Sequence, residues 1–418
     1  MRKASKIVIA ISTILLVFLA SFGTVHAIGI VKVKNPTKEI GNFRLGLSYP
    51  PLKNDRHRKI TQYHCEKLEI DLLRMGISWS YIEPNKGTYK WSGFDKRMNF
   101  CRENGLDILL TISSDGPKWN NDLETPISST YKNVTIFKLF LQELFNRYKE
   151  HNIHKIQFGN EWPNSYQFIG TAEQFVNYSN TVYTIAKEII PTTTFVLGGI
   201  ATTNLRLAAA YYNYTDSFRL GSDRKIYSGE ELQTYLNSEE VQKGVERVKQ
   251  VLANASFDEL DLHLYDDYQF WDTYVTMMKD FVPGKSIIVS EFGGPNILWE
   301  KYSNKKQAQH LNNSLAILNG LDIEEAYYFK LVQSKSSTLQ HRKSSLLNSL
   351  LTIKPAYYIM QTFTKGAYKW DFSYNLIYSL IPAAIIGIII LIINLGLFIN
   401  KYVKKRKKEE KNLNISDI

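Results

Sequence analysis

The 418-residue chain has only two cysteines, Cys65 and Cys101, too few for a disulfide framework. Both fall in stretches that read as the first two helices, and one bridge or two buried thiols are equally compatible with the sequence. Between about Gly41 and Phe363 there is no low-complexity linker and no obvious internal repeat, which excludes a repeat array. No glycine-rich phosphate turn follows an early strand, which argues against a doubly wound nucleotide-binding sheet. No cluster of His, Cys, Asp or Glu has metal-ligand spacing, and no cofactor is called for. The net charge is +11, but no basic block with interleaved aromatics stands out, which argues against nucleic acid as a partner.

What is present begins at the two ends. Residues 1–27 open with "MRKASK", continue as "IVIAISTILLVFLASFG" and reach "VHA". A basic start, an apolar core and a small residue at the break predict a secretory signal peptide cut after about Ala27, with a retained anchor as the alternative. Near the other end, "LIYSLIPAAIIGIIILIINLGLFI" (376–399) carries no charge. At about 1.5 Å per helical residue it spans the roughly 30 Å hydrocarbon core of a bilayer. Residues 400–418 follow with "KKRKK", which marks a cytoplasmic tail, and a charged tail argues against a GPI signal. The expected protein is a single-pass cell-membrane protein with its bulk outside. It comprises a signal peptide (1–27), an extension (28–40), a domain (41–363), a juxtamembrane stalk (364–375), a transmembrane helix (376–399) and a basic tail (400–418). Without Arg2, Lys3, Lys6 and the tail, the ectodomain keeps a charge of about +4. The sequons at Asn133, Asn177, Asn213, Asn254 and Asn312 agree with an exported glycoprotein surface.

Within the domain, short β-rich runs alternate with helical periodicity. The predicted strands are 44–49, 70–76, 107–113, 155–161, 194–200, 259–265, 286–292 and 325–331. Several are nearly all apolar, the pattern of parallel strands buried on both faces. Eight strands with helices between them, over this length, predict one (β/α)8 TIM barrel, whose last helix starts at Pro355.

Two of these strands end in an acid. "KIQFGNEWPN" (155–164) runs into Glu161, and "KSIIVSEFGGP" (285–295) into Glu291. Carboxylates are rarely buried without a partner or a role. In a parallel barrel the strand C-termini open onto one face, so acids ending strands four and seven meet across one mouth. Two carboxylates facing across a pocket are what glycosidic cleavage needs.

On these motifs the span from about 41 to 363 resembles the clan of retaining (β/α)8 glycoside hydrolases with catalytic glutamates on strands four and seven, which includes families 5, 39 and 42. The Asn160-Glu161 pair matches its strand-four motif, and "VSEFG" its strand-seven motif. "RMGISWSYIEPNKGTYKW" (74–91), "HLY" (263–265) and "IKPAYY" agree. The resemblance implies that Glu161 is the acid/base, that Glu291 is the nucleophile and that Asn160 binds a sugar 2-hydroxyl. It implies that Arg74 and the Tyr265 hydroxyl hold Glu291 ionised, and the charge on Glu291 would then raise the pKa of Glu161. His263 is a further candidate beside the site. Trp119, Trp162, Trp271 and Trp299 fall in loops at the predicted mouth, with Trp119 and Trp299 taken as sugar-stacking candidates. The chain departs from the clan where strand eight often carries tryptophan: here Phe329 or Lys330 stands near that position. Strand three ends in "SSDG" rather than in the histidine of some families.

The expected activity is therefore hydrolysis of O-glycosidic bonds in an oligosaccharide or glycan. The rivals are a carbohydrate-binding or adhesion ectodomain on an inactive barrel and a transglycosylase using the same two acids. A final helix running to the bottom of the barrel, followed by a short stalk, predicts that the mouth points away from the bilayer.

Overall fold

Alternation of apolar residues on both faces gives strands that need cover inside and out, and the chain satisfies this by closing a barrel. The computed structural model describes residues 42–122, 130–220, 224–265, 267–334, 338, 341–366, 374, 377–378 and 381–413. The expected signal peptide and extension, and most of the stalk, lie outside these residues. Eight parallel strands pair in chain order around the barrel: β1 (Arg44–Ser48), β2 (Leu72–Ile77), β3 (Asp107–Ile112), β4 (Ile153–Asn160), β5 (Thr194–Ile200), β6 (Glu259–Tyr265), β7 (Ser286–Gly293) and β8 (Glu325–Tyr328). β1 closes the ring against β8, with Leu45 opposite Ala326.

The outer helices are α1 (Asp55–Leu68), α2 (Ser92–Glu103), α3 (Val134–Tyr148), α4 (Ala172–Ile189), α5 (Thr202–Tyr211), α6 (Gly229–Leu236), α7 (Glu239–Asn254), α8 (Trp271–Phe281), α9 (Asn304–Leu318) and α10 (Pro355–Lys365). Their starts are written locally. The Asn54 side chain accepts from the His57 N–H, Thr171 and Gln174 form a capping box, and Pro355 occupies the first turn of α10, where a missing N–H costs nothing. The β5–β6 connection is enlarged by α5, α6, α7 and a two-stranded ribbon (217–219 and 226–228). There "AAAYYNY" serves packing: Ala208, Ala209 and Ala210 are buried in α5.

Inside the barrel, Leu72, Leu109, Val196, Ile288 and Tyr327 form one fully buried layer. Gly46 admits the Tyr327 ring there, since a Cβ at Gly46 would lie 2.5 Å from it. Two residues further along the strands the inward positions turn polar, with Arg74 after Leu72, Thr111 after Leu109 and Ser290 after Ile288. All three are buried. Stacked layers of side chains fill such barrels, so this polar layer is the floor of the mouth. Cys65 and Cys101 are free and buried, and burial pushes both thiols up to about 12.

The C-terminal helix α11 (Ile381–Leu413) holds a stretch, Ile385–Arg406, long and apolar enough to cross a membrane. Its attachment differs from the expected tether at the bottom of the barrel. The Tyr374 hydroxyl donates to Leu351 O at 2.8 Å, and its ring lies 5.3 Å from that of Tyr63. Thr352 Oγ1 donates to Tyr378 O at 3.1 Å, and Ile377 and Tyr378 line a surface cleft with Asp55, Arg56 and Lys59. Leu351 and Thr352 precede α10, and Asp55 to Lys59 open α1. Both therefore lie toward the end where the strands terminate. Ile381 follows Tyr378 by three residues, a reach of about 10 Å. The helix thus starts beside the end of the barrel where the strands terminate, with the tyrosines at 374 and 378 finding aromatic and backbone partners along α1 and ahead of α10.

Candidate active site

Strand β4 ends at Asn160, and the next residue, Glu161, turns out of the strand with φ 47°. Glu291 lies within β7, three strands around the ring. The structure brings both together with Arg74, Asn160, His263 and Tyr265 at the mouth. Arg74 Nη1 donates to Glu291 Oε1, and the Tyr265 hydroxyl donates to Glu291 Oε2 at 2.6 Å. Both oxygens of Glu291 are thereby engaged by donors, which suits an anionic carboxylate. Burial and the Glu291 charge push the Tyr265 hydroxyl well above the usual phenol value, so it donates and does not ionise.

Arg74 is fully buried and anchors the floor. Its Nε donates to Thr111 Oγ1 at 3.0 Å, and its Nη2 to Gln157 Oε1 at 2.9 Å and to Asn160 Oδ1 at 2.7 Å. Burial opposes its charge, but Tyr49, Glu291 and Asp261 outweigh that and raise its pKa. With Asn160 Oδ1 accepting from Arg74, the NH2 is the remaining, donor end of the Asn160 amide.

His263 occupies the space between the acids. Its Nδ1 lies 3.0 Å from Glu161 Oε1 and 3.9 Å from Glu291 Oε2, while Nε2 lies 3.2 Å from Ser290 Oγ and 3.4 Å from Asp261 Oδ2. Burial alone would lower the pKa of this imidazole. Glu291, Asp261 and Glu161 reverse the effect and raise it to about 10. Gly199 makes room for the ring, since a Cβ there would lie 2.3 Å from Nε2.

The electrostatics of Glu161 run opposite to the expectation from sequence. Burial would raise its pKa, but the His263 hydrogen bond and charge, with the Tyr166 hydroxyl donating at 2.9 Å, bring it below the ordinary value. His263 and Tyr166 together outweigh the cost of burial. Across the 3.0 Å contact the two groups are shifted in opposite senses, His263 up and Glu161 down.

A cavity of about 550 Å³ opens over this floor, walled by Tyr49, Tyr166, Arg206, Phe329, Lys330 and His341 together with both glutamates. Trp119 and Trp299 do not line it. Trp119 Nε1 donates to Glu83 O at 3.1 Å, and Trp299 Nε1 to Leu220 O at 3.1 Å. The guanidinium carbons of Arg206 and Arg219 each lie 4.8 Å from the centre of a Trp299 ring. Trp162 and Trp271 are fully buried. Among the described residues no group of three His, Cys, Asp or Glu is placed to hold a metal ion.

Sequence reasoning passed over Gln157, Asp261 and Ser290, which tie Arg74 to His263. Gln157 Nε2 donates to Asp261 Oδ2, and Ser290 Oγ donates to the same oxygen at 2.6 Å. Their signal was present, as polar residues flanked by apolar ones inside the strand runs "KIQFGN", "ELDLHLY" and "IIVSEF". Tyr166 and His341 sit in connections and carried none.

A glycoside hydrolase family 42 model, described as β-galactosidase, matches residues 49–126, a stretch that includes Arg74 and neither glutamate. None of the curated proteins matches the chain. Among solved structures, a family 39 glycoside hydrolase from the gut symbiont Bacteroides cellulosilyticus WH2 superposes with a TM-score of 0.53 at 14% identity. The match covers 78% of this chain and 64% of that one, less than two thirds of its length. A glucosidase from Croceicoccus marinus gives a TM-score of 0.57 at 14% identity, over 78% and 68% of the two chains. A family 39 β-xylosidase from Caulobacter crescentus gives 0.54 at 11%, over 78% and 71%. The barrel fold and the partial family match together place the likeness of this chain at the level of the clan of (β/α)8 glycoside hydrolases that includes families 5, 39 and 42.

Proposed function

We propose that the protein is a membrane-anchored O-glycosidase that cleaves with retention of configuration, using Glu291 as nucleophile and Glu161 as acid/base. The observation that carries this reading is the His263 contact with both acids, which keeps Glu161 Oε1 and Glu291 Oε2 at most about 7 Å apart, compatible with the close spacing of retaining pairs and below most of the inverting range.

A Glu291 oxygen attacks the anomeric carbon as the glycosidic C–O bond breaks, and the leaving oxygen takes a proton. That proton comes from His263 Nδ1 through Glu161 Oε1, across the 3.0 Å contact. Esterification removes the charge of Glu291. Glu161, again a carboxylate, then takes a proton from water as the water oxygen attacks the same carbon and Glu291 leaves. Asn160, held by Arg74, is the donor for the sugar 2-hydroxyl. Phe329 and His341 take the wall where the clan often has tryptophan. The position of Tyr378 supports a barrel whose catalytic end lies near the bilayer, so the substrates in reach include glycans carried on the same membrane.

The test is turnover of a panel of aryl glycosides by the full-length protein in detergent. Glu291→Gly should be inactive and should regain turnover with azide, giving a glycosyl azide of inverted configuration. Substantial activity of Glu291→Gly without azide would refute the assignment.

A further inference from the structure

The cleft continues past the catalytic cavity. A second cavity of about 750 Å³ opens beside the ends of β1 and β2 and the chain following β8, and it shares Tyr49 and Lys330 with the first. Lys53 from the β1–α1 connection, His57 in the first turn of α1 and Arg97 on α2 complete its basic wall, and its lining contains no Asp or Glu. Lys53, Arg97 and Lys330 enter no ion pair among the described residues.

Folding does not account for these cations. Arg97 and Lys330 are half-buried, and burial pushes the pKa of both down, for Lys330 against the opposing pull of Glu291. A partly desolvated cation is ordinarily matched by an acid. Here the Arg97 guanidinium lies 5.2 Å from the Phe94 ring centre and donates through Nε to Gly93 O at 3.3 Å, and the Lys330 ammonium lies 4.9 Å from the Phe329 ring centre. The same cavity presents Tyr81, 62% exposed, an aromatic face suited to a sugar ring.

We propose that this second cavity is a subsite for an acidic sugar, holding the anionic group of a residue next to the one cleaved at Glu291. Lys53 and Arg97 meet the anion, Lys330 stands at the junction of the two cavities, and the substrate is an acidic glycan. The subsite presupposes the glycosidase reading, and binding is measured apart from turnover so that the two can fail separately.

The test uses the full-length protein in detergent carrying Glu291→Gln to stop turnover, titrated with tetragalacturonate and with the methyl ester of the same tetramer. The acid should bind at least tenfold more tightly at low salt, with the preference shrinking as salt rises. Adding Lys53→Gln and Arg97→Gln should abolish the preference while leaving affinity for the ester within about twofold, and Lys53→Arg with Arg97→Lys should keep it. Equal binding of the two tetramers, no binding of either, or a preference that survives the glutamine replacements overturns the subsite. So does binding to phosphatidylserine vesicles that needs Lys53 and Arg97 when the tetramers are not distinguished, which would assign the patch to a lipid surface. Inactivity on every aryl glycoside, with the preference intact, would sink the hydrolase reading and leave the subsite standing.

Discussion

His263 Nδ1 lies 3.0 Å from Glu161 Oε1 and 3.9 Å from Glu291 Oε2, so one imidazole faces both candidate catalytic acids. His263 is raised to about 10 by Glu291, Asp261 and Glu161 against the effect of burial. The basic limb of kcat/KM for the wild type should therefore lie well above the range of a lone glutamate. In His263→Asn that limb should fall by at least two pH units. A limb unmoved by the substitution would place the essential proton elsewhere.

The same shift predicts a pH-dependent stability. A histidine raised above its unfolded value of about 6.5 contributes stability fully present below that pH and lost as pH rises through its folded value. For His263 the window is about 6.5 to 10. The thermal-midpoint advantage of wild type over His263→Asn should shrink across that interval, and an advantage that grew with pH would contradict the cationic imidazole.

Gly199→Ala should disable the site and spare the barrel. The new Cβ would stand 2.3 Å from His263 Nε2 and 2.6 Å from Asp261 Oδ2, both held on other sides. Activity should drop by 10²–10⁴, the range for losing general acid–base assistance, with an unchanged circular dichroism spectrum. Retained activity would mean that His263 can move without consequence.

Arg74→Met leaves Glu291, Gln157 and Asn160 without their shared buried donor. Breaking one partner of a buried ion pair costs about 3–5 kcal/mol. Denaturant unfolding should show a loss of that order, and Arg74→Met with Glu291→Gln should recover part of it because the uncompensated charge is gone. No recovery would assign the loss to packing.

The tether predicts which end of the barrel meets the bilayer. Cys65 and Cys101 are buried with thiols raised to about 12, so an introduced surface cysteine should label selectively. In liposomes with a lipid-borne quencher, a fluorophore at Lys53→Cys, on the catalytic end, should be quenched more than one at Glu150→Cys, on the opposite end. The reverse order would mean that the contacts of Tyr374 and Tyr378 do not set the orientation.

Much of this protein was legible in its residues taken alone. Each of the eight predicted runs overlaps a barrel strand, and the last outer helix begins at Pro355 as read from its proline. Glu161 and Glu291 stood out because an acid closing an apolar strand is locally conspicuous. These features rest on period-two burial, capping and strand direction, which a few neighbouring residues encode. Three things depended on the closed barrel. His263 became a cation because Glu161, Asp261 and Glu291, far apart in sequence, converge on one buried ring. Trp299 came to lie against Arg206 and Arg219, contributed by α5 and the ribbon, and not over the cavity. Tyr374 and Tyr378 came to lie at the end of the barrel where the strands terminate because they met Tyr63, Leu351 and Thr352, partners that no local pattern announces. Strand and helix follow from short-range sterics and periodicity, whereas charge state, ring exposure and orientation are set by which distant groups the fold makes neighbours.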